Sequence, residues 1–428
     1  MRNFKHVHGC GNSMESKPPA TRLAHFTKRI LVTGGAGFIG SHVVIHLVKH
    51  YPQYYIVNLD SLDYCSCVGN VHSAISSSSC HSHQLQSANE RSTEHEINHM
   101  KTSIVNEKQL RQRLHASFCK PRDEYRSDDE FLPSNYKFIR GDVTGSDLIN
   151  YILDSEAIDT IMHFAAQSHV DNSFGNSIEF SKTNILGTHV LLEAARVHRI
   201  QRFIHVSTDE VYGEGRPDSK PMTENHVLKP TNPYAASKAG AEFLVTSFYH
   251  SFGLPIIITR SNNVYGPHQY PEKLIPKLIN QVLRGQPMTL HGNGRHTRNY
   301  LYISDVVSAF DVILHEGKVG EIYNLGGQNE LSNEKVAMEI LHVMKPQLLE
   351  GEKATMIAHV PDRPFNDHRY VIDATKIRRL GWSEKVTWRE GLQKTIEWIC
   401  QHGHCFNKID HALEAHPINF KTTYKTSL

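Results

Sequence analysis

An α/β fold, a doubly wound parallel sheet with a smaller C-terminal cap, is what this 428-residue sequence predicts. Three observations carry the prediction. Short apolar runs recur with helical patterns between them, as in β-α units built on a parallel sheet. The first of these runs leads straight into a glycine-rich turn and then a helix. Beyond Pro267 the alternation loosens, as expected of a cap over the sheet's carboxyl edge.

Taken in order, Lys28-Arg29-Ile30-Leu31-Val32-Thr33 reads as a buried strand. It enters Gly34-Gly35-Ala36-Gly37-Phe38-Ile39-Gly40 and the helical pattern Ser41 to His50. Glycines at 34, 37 and 40 permit a tight turn, close approach of backbone to a pyrophosphate and close helix–strand packing, and the helix N-terminus receives the phosphate charge. A second strand, Tyr54 to Leu59, ends in Asp60, twenty residues after Gly40. That is the spacing expected of a carboxylate on an adenosine ribose. No Lys or Arg follows Asp60 directly, so a 2′-phosphate would meet repulsion and NAD is favoured over NADP. Gly34, Gly37, Phe38, Ile39, Gly40 and Asp60 are the cofactor-binding candidates of this Rossmann-like unit.

Further strands are predicted at Tyr136–Asp142, Asp159–Ala166, Arg202–Val206, Pro255–Arg260 and Glu321–Leu325. Helices are predicted at Ser146–Glu156 and near Ile178–His198. Another opens with Asn232 as N-cap and Pro233 at the first helical position. In the cap, helices are expected near Lys273–Arg284, Asn333–Met344 and Trp388–Cys400. The chain thus divides into a disordered leader (1–27), a cofactor domain (28–263), a substrate-binding cap (264–405, with 298–327 partly returning to the first domain) and a tail (406–428). Residues 69–133 break the rhythm. They hold Ser76-Ser77-Ser78-Ser79, many His and few strong apolar positions, and are expected to form a disordered or weakly helical insertion.

Composition narrows the function. With 46 basic and 44 acidic residues the net charge is +2, so nothing calls for nucleic acid or an acidic membrane surface. No apolar run reaches the length of a membrane span, and residues 1–27 lack the apolar core of a secretory signal. Glu15 argues against a mitochondrial presequence. The seven cysteines are scattered and odd in number, which fits a reducing, cytoplasmic setting. Cys65, Cys67, Cys80, His81 and His83 match no standard zinc spacing, and no metal is expected.

The chemistry is concentrated in Ser207-Thr208-Asp209-Glu210-Val211-Tyr212-Gly213 and Tyr234-Ala235-Ala236-Ser237-Lys238. Thr208, Asp209 and Glu210 fall at the carboxyl end of a strand, the edge at which open α/β sheets bind ligands. Tyr234 and Lys238, four apart, project from one face of a helix. Two adjacent carboxyls beside a Tyr/Lys pair exceed what a simple dehydrogenase needs, and point to redox chemistry coupled to an elimination.

Together with Asn263-Val264-Tyr265-Gly266-Pro267 and Arg298-Asn299-Tyr300-Leu301-Tyr302, these motifs resemble the extended short-chain dehydrogenases that act on nucleotide sugars. Tyr270-Pro271-Glu272-Lys273-Leu274-Ile275-Pro276 and the segment Asp362 to Tyr370 resemble, within them, the dTDP-glucose 4,6-dehydratase family. The likeness covers roughly residues 28–68 and 134–400, and the insertion departs from it. The resemblance implies a homodimeric, NAD-dependent lyase acting on dTDP-glucose or UDP-glucose. Tyr234 would be the C4-hydroxyl base, Glu210 the C5 base, Asp209 the proton donor to the C6 hydroxyl, and Thr208 a hydrogen bond to the C4 oxygen. A free phenol has a pKa near ~10, so Lys238 and the positive nicotinamide would have to lower it. Arg298, whose fork matches phosphate oxygens, and Asn263, Lys273 and Arg363 are the substrate-binding candidates. Asp142 resembles the residue bonding adenine, and His163 packs. A UDP-glucuronate decarboxylase-like lyase, in which Ser usually stands at position 209, and a catalytically silent sugar-nucleotide-binding protein are the alternatives. The dimer is expected through the helices near 178–198 and 233–252, with Ile185, Leu186, Val190, Leu191 and Ala195 on one and Ala236, Ala239, Gly240 and Phe243 on the other.

Overall fold

A computed structural model describes residues 23, 25–76, 132–215, 220–403, 406 and 409–415. Twelve strands are named here in chain order: β1 Lys28–Thr33, β2 Tyr54–Asp60, β3 Tyr136–Arg140, β4 Thr160–His163, β5 Arg202–Thr208, β6 Ile256–Ser261, β7 Asn263–Tyr265, β8 Met288–His291, β9 Thr297–Tyr302, β10 Ile322–Leu325, β11 Asn329–Ser332 and β12 Ile357–Val360. Seven of them form the main sheet in the order β10-β6-β5-β4-β1-β2-β3, and every pairing in it is parallel. This is a Rossmann-like α/β fold. Both faces of the sheet are covered by helices, which is why its central strands read as unbroken apolar runs. All seven residues of β2 are buried. Two apolar cores result, one on each face, with Ile30, Val32 and Ile204 pointing into one and Leu31, Val57 and Phe203 into the other.

The chain winds outward from β1 to β3, then returns to β4 beside β1 and winds the other way. The switch point between β1 and β4 opens a crevice at the strands' carboxyl ends. Thr33 pairs with His163 there, and His163 is locked between the Thr33 and Thr188 hydroxyls at 2.7 and 3.0 Å. Burial holds its imidazole neutral, with the pKa lowered to about 3. It packs.

Two smaller sheets, β11-β9-β7 and β12-β8, build the cap. β10 rejoins the main sheet, and helix Ile303–Glu316 packs back on helix Phe38–His50, where Tyr51 donates to Asp311 at 2.8 Å. The helix near 178–198 is interrupted by a π turn, Ser181–Leu186. Such turns mark functional sites in many helices. Here the turn delivers Asn184, which accepts from Gln167 N–H and donates to Gln167 O and Ser237 Oγ.

Two expectations are corrected. Residues 69–75, placed in the disordered or weakly helical insertion, complete a packed helix, Val68–Ile75, with Val68, Val71 and Ile75 buried; residues 77–131, and with them Cys80, His81 and His83, lie outside the described residues. The end of the leader is ordered, since Leu23 and Phe26 are buried and Phe26 stacks on Tyr55. Leu191, Ala195 and Ala239 of the expected dimer stripe are buried within the protomer, the part of each stripe expected to cover the sheet. Among the described residues, no helix is long and apolar enough to cross a membrane.

Candidate active site

One cavity of about 740 Å³ spans the crevice and the underside of the cap. Gly34, Gly37, Phe38, Ile39, Gly40, Asp60, Asp142, Thr208, Glu210, Tyr234, Lys238, Asn263, Lys273, Arg298 and Arg363 all line it. Asp209 does not. It lies one layer behind the wall, 2% exposed.

At one end the wall is backbone. Gly34 has φ +71, and a Cβ there would meet Ala165 N at 2.6 Å, while a Cβ on Gly40 would meet Gly34 O at 2.2 Å. The turn therefore closes only with glycine at both places. It presents the N-terminus of helix Phe38–His50, whose N-cap is Gly37 and which has no side-chain cap. Its free N–H groups are left for an anion. Asp60 Oδ2 accepts from Ala36 N–H at 2.9 Å and Oδ1 from Leu62 N–H at 2.8 Å, which fixes the carboxylate at the end of β2 with lone pairs to spare for a ribose diol. Asp142 is held by Thr144 through N–H and hydroxyl, both at 2.8 Å. A cradle that a single Cβ would fill, beside a fixed carboxylate, fits a dinucleotide.

Above the sheet's edge stand the reactive side chains. β5 ends at Thr208, which caps the short 3-10 turn Asp209–Tyr212 by accepting from Glu210 N–H at 3.3 Å. Thr208 Oγ1 also donates to Asp209 Oδ1 at 3.2 Å, and its hydroxyl favours the Tyr234 phenolate. Asn262 Nδ2 donates to Asp209 Oδ2 at 2.6 Å. Burial, then the neighbouring Glu210 charge, pushes the Asp209 carboxyl up to about 7. Glu210 is raised by burial too, against the hydrogen bond from Asn232 Nδ2 at 3.1 Å and the charges of Arg298 and Arg363.

Helix Pro233–Phe252 opens as expected, Asn232 Oδ1 accepting from Ala235 N–H at 2.8 Å. Its first turns place Tyr234 and Lys238 against β5. Lys238 Nζ donates to Val206 O at 2.6 Å, and burial lowers its pKa to about 8. The Tyr234 phenol is pushed above its ordinary range by burial and by Glu210, against the pull of the Thr208 hydroxyl. In the protein alone it is a weak acid, and it becomes a base only when a cation stands beside it.

The opposite end is built from side chains brought in from far along the chain. Arg298 Nη1 donates to Thr297 O at 2.7 Å and Asp367 O at 2.8 Å, Nη2 to Asn366 Oδ1 at 3.3 Å, and the guanidinium lies 4.8 Å over the Tyr370 ring. Lys273 Nζ donates to Ser168 O at 2.6 Å. Arg363 pairs with Asp171 at 3.3 Å. Asn262 and Asn184 belong to this machinery and carry no motif of their own, while Asp367, which holds Arg298 through its carbonyl, falls in the segment Asp362 to Tyr370 without being a candidate there. Asn262, directly before Asn263 at a strand end, offered the one local hint.

Comparison with known proteins places the chain. The family model described as GDP-mannose 4,6 dehydratase matches residues 105–395. A human protein named dTDP-D-glucose 4,6-dehydratase is 42% identical over 393 residues, covering 92% of this chain and 96% of that one. An Arabidopsis thaliana protein named trifunctional UDP-glucose 4,6-dehydratase/UDP-4-keto-6-deoxy-D-glucose 3,5-epimerase/UDP-4-keto-L-rhamnose-reductase is 46% identical over 400 residues, covering 92% of this chain; the chain spans about half the length of that relative. A Streptomyces venezuelae dTDP-glucose 4,6-dehydratase solved with NAD bound superposes with a TM-score of 0.70 at 33% identity, covering 88% of this chain and 98% of that one. The chain belongs to the GDP-mannose 4,6 dehydratase family.

Proposed function

We propose that this protein is an NAD-dependent nucleotide-sugar 4,6-dehydratase that converts dTDP-glucose or UDP-glucose to the 4-keto-6-deoxy sugar nucleotide and water. The observation that carries the reading is the convergence of Thr208, Glu210, Tyr234 and Lys238 on one cavity wall, with Asp209 directly behind it. Bound NAD would take hydride from C4 and return it at C6, and its oxidised ring would supply the positive charge beside the phenol. Gly34, Gly37, Phe38, Ile39, Gly40, Asp60 and Asp142 would hold it.

The chain's own residues do the rest. Tyr234, with Thr208 beside it, takes the C4 hydroxyl proton. The resulting ketone acidifies C5–H, and Glu210 removes that proton. Asp209, the carboxyl raised to about 7, gives its proton to the departing C6 oxygen, and Glu210 reprotonates C5. Two neighbouring carboxyls with separated pKa values can divide acid and base work in this way. Because Asp209 lies behind the wall, its proton must reach the sugar through a small rotation of the turn or across the Thr208 hydroxyl. Arg298, with Asn263, Lys273 and Arg363, holds the diphosphate and sugar. Residues 28–263 serve as the cofactor domain, and 264–405 as the cap.

Incubation with dTDP-glucose and UDP-glucose separately, read by product mass, tests the reading. Loss of water with no net NADH supports it. Stoichiometric NADH with water retained would make the protein a simple dehydrogenase.

The homodimer is part of the proposal. Ile178, Leu186 and Phe243 are exposed on the two expected helices, and an apolar face of that kind favours a partner. Light scattering at micromolar concentration that returns the monomer mass overturns it.

A further inference from the structure

The match to the family model ends at residue 395, and beyond it the chain adds one more piece to the cap. Residues 409–415 open with a short helical turn, Ile409–Ala412, and lie against helix Leu274–Leu283 and β8. Ala412 and Leu413 are buried, Ala412 in a cluster with Tyr270 and Phe406. At the outer edge Arg284 Nη1 donates to Asp410 Oδ1.

Three consecutive backbone carbonyls of this segment each accept from a cap side chain. Gln281 Nε2 donates to Leu413 O at 3.3 Å, Lys277 Nζ to Glu414 O at 2.5 Å and His291 Nε2 to Ala415 O at 2.9 Å. A carbonyl only accepts, so the last bond puts a proton on Nε2 of His291 and sets its ring. Gln281 also grips Thr289, donating from Nε2 to Oγ1 at 2.9 Å and accepting at Oε1 from Thr289 N–H at 3.1 Å. Lys277, Thr289 and His291 line the cavity, and the carbonyls that hold them stand behind its wall.

Lys277 is left with donors to give. It is 8% exposed, and of the three donors of an ammonium one goes to Glu414 O, with no other partner among the described residues. The acids nearby are engaged elsewhere, Asp171 by Arg363 at 3.3 Å and Glu272 by the Tyr64 hydroxyl at 2.8 Å. Burial lowers the ammonium's pKa to about 8, so it keeps its proton at neutral pH. A buried charge without a counter-charge is costly. Lys277 lies one helical turn after Lys273, its N–H bonded to Lys273 O at 2.9 Å, and residues four apart share a helix face. Lys273 and Arg363 line the same cavity. An anion laid along them supplies the missing charge.

We infer that Lys277 is a further cation for the diphosphate of the sugar nucleotide, and that residues 409–415 form the back wall that points it, with Thr289 and His291, into the cavity. The inference rests on the sugar-nucleotide reading proposed above. Lys277 touches the ligand; the segment positions Lys277.

Titration of the full-length, NAD-loaded protein with UDP and with dTDP tests both halves. Lys277→Met keeps the length of the side chain and removes the charge. Affinity for both nucleotides should fall about tenfold or more, the size of a lost charge-assisted hydrogen bond. Ala412→Glu drives a charge into the cluster with Tyr270 and Phe406 and dislodges the segment. It should weaken both nucleotides, raise KM for the sugar nucleotide, and leave kcat and NAD affinity within a few-fold. The two changes together should cost little more than the larger of them, since each breaks the same arrangement. Losses that multiply in the double variant would mean that the segment does not act through Lys277, and overturn the positioning. Unchanged affinity in Lys277→Met would overturn the contact. An Ala412→Glu protein that melts earlier but binds normally below its melting point would reduce the segment to a brace, which overturns the inference too. If Ala412→Glu prevents folding, a chain ending at residue 408 takes its place with the same readouts. A parent protein that binds neither nucleotide and forms no dehydrated product sinks the sugar-nucleotide reading instead, and that outcome is distinct from every one above.

Discussion

The two ends of the cavity are built by different physics. At the cofactor end the wall is backbone: a glycine turn, a helix N-terminus and a carboxylate pinned by two N–H groups, all within Lys28–Leu62. At the substrate end the wall is side chain. Arg298 is held by the carbonyl of Asp367, Lys273 by that of Ser168, and Arg363 by the carboxylate of Asp171. The first end is specified by what is absent from the residues, a Cβ. The second is specified by partners some 70 to 190 positions apart in sequence. A site of the first kind tolerates almost no added atom, and one of the second kind depends on which charges and hydrogen bonds survive.

The comparison is sharpened first where the chemistry lies. Glu210→Gln keeps the hydrogen bond with Asn232 and removes the C5 base. Loss of a general base is worth about 10²–10⁴ in rate. Product formation should fall by that much while bound NADH still builds up on adding substrate. Stopped-flow absorbance with product mass decides it; loss of the NADH signal together with product would assign Glu210 to the first step.

Next in size is the backbone end. Ala at position 40 would place its Cβ 2.2 Å from Gly34 O, and a backbone oxygen in a closed turn yields little. Overpacking costs about 1–3 kcal/mol, so Gly40→Ala should weaken NAD binding roughly 10- to 100-fold in a fluorescence titration. Affinity for the sugar nucleotide's diphosphate should stay within a few-fold. Equal weakening of both would mean that the two ends are mechanically one.

Arg298→Lys addresses the side-chain end. The lysine keeps the charge but cannot reach Thr297 O, Asp367 O and Asn366 together. KM should rise about tenfold, the size of one lost charge-assisted hydrogen bond, with kcat within a few-fold. A fall in kcat with KM unchanged would move Arg298 from diphosphate binding to the acidic pair, whose charges it also faces.

This division also explains how much is legible in the sequence. The main sheet, the glycine cradle, and Tyr234 and Lys238 are legible because each is local: a run, a turn, a spacing of four. Asp209 and Glu210 are legible as a pair, but that one lines the cavity and the other lies behind it depends on Asn262 reaching across from the end of β6. β8 and β12 pair in parallel across some seventy residues, with four residues each, too short for a periodic signal. Helix Ile303–Glu316 escapes the sequence pattern because it follows β9 without a break, and its first residues read as continuing strand. The π turn Ser181–Leu186 sits inside an ordinary helical pattern, and nothing in the pattern forecasts an extra residue per turn.

The last effect is read in stability, outside turnover and ligand binding, and it most cleanly separates the ends. Burial and Glu210 hold the Asp209 carboxyl at about 7, against about 3.9 in an unfolded chain. Between those values the native state keeps a proton that the unfolded state has released. Stability from this group is therefore fully present below about pH 4 and is lost as pH rises through about 7, with a slope of at most about 1.4 kcal/mol per pH unit. Asn at 209 cannot titrate, so Asp209→Asn should flatten the decline of denaturant-derived stability between about pH 4 and 7 and become the more stable protein at the upper end. Gly40→Ala adds an uncharged methyl to a backbone turn and should displace the whole curve downward without changing its slope. Curves for Asp209→Asn and the parent that run parallel over this range would mean that Asp209 is ionised in the folded protein. Asp209 would then have no proton to give to the C6 oxygen, and the acid in the elimination would have to be sought elsewhere on the cavity wall.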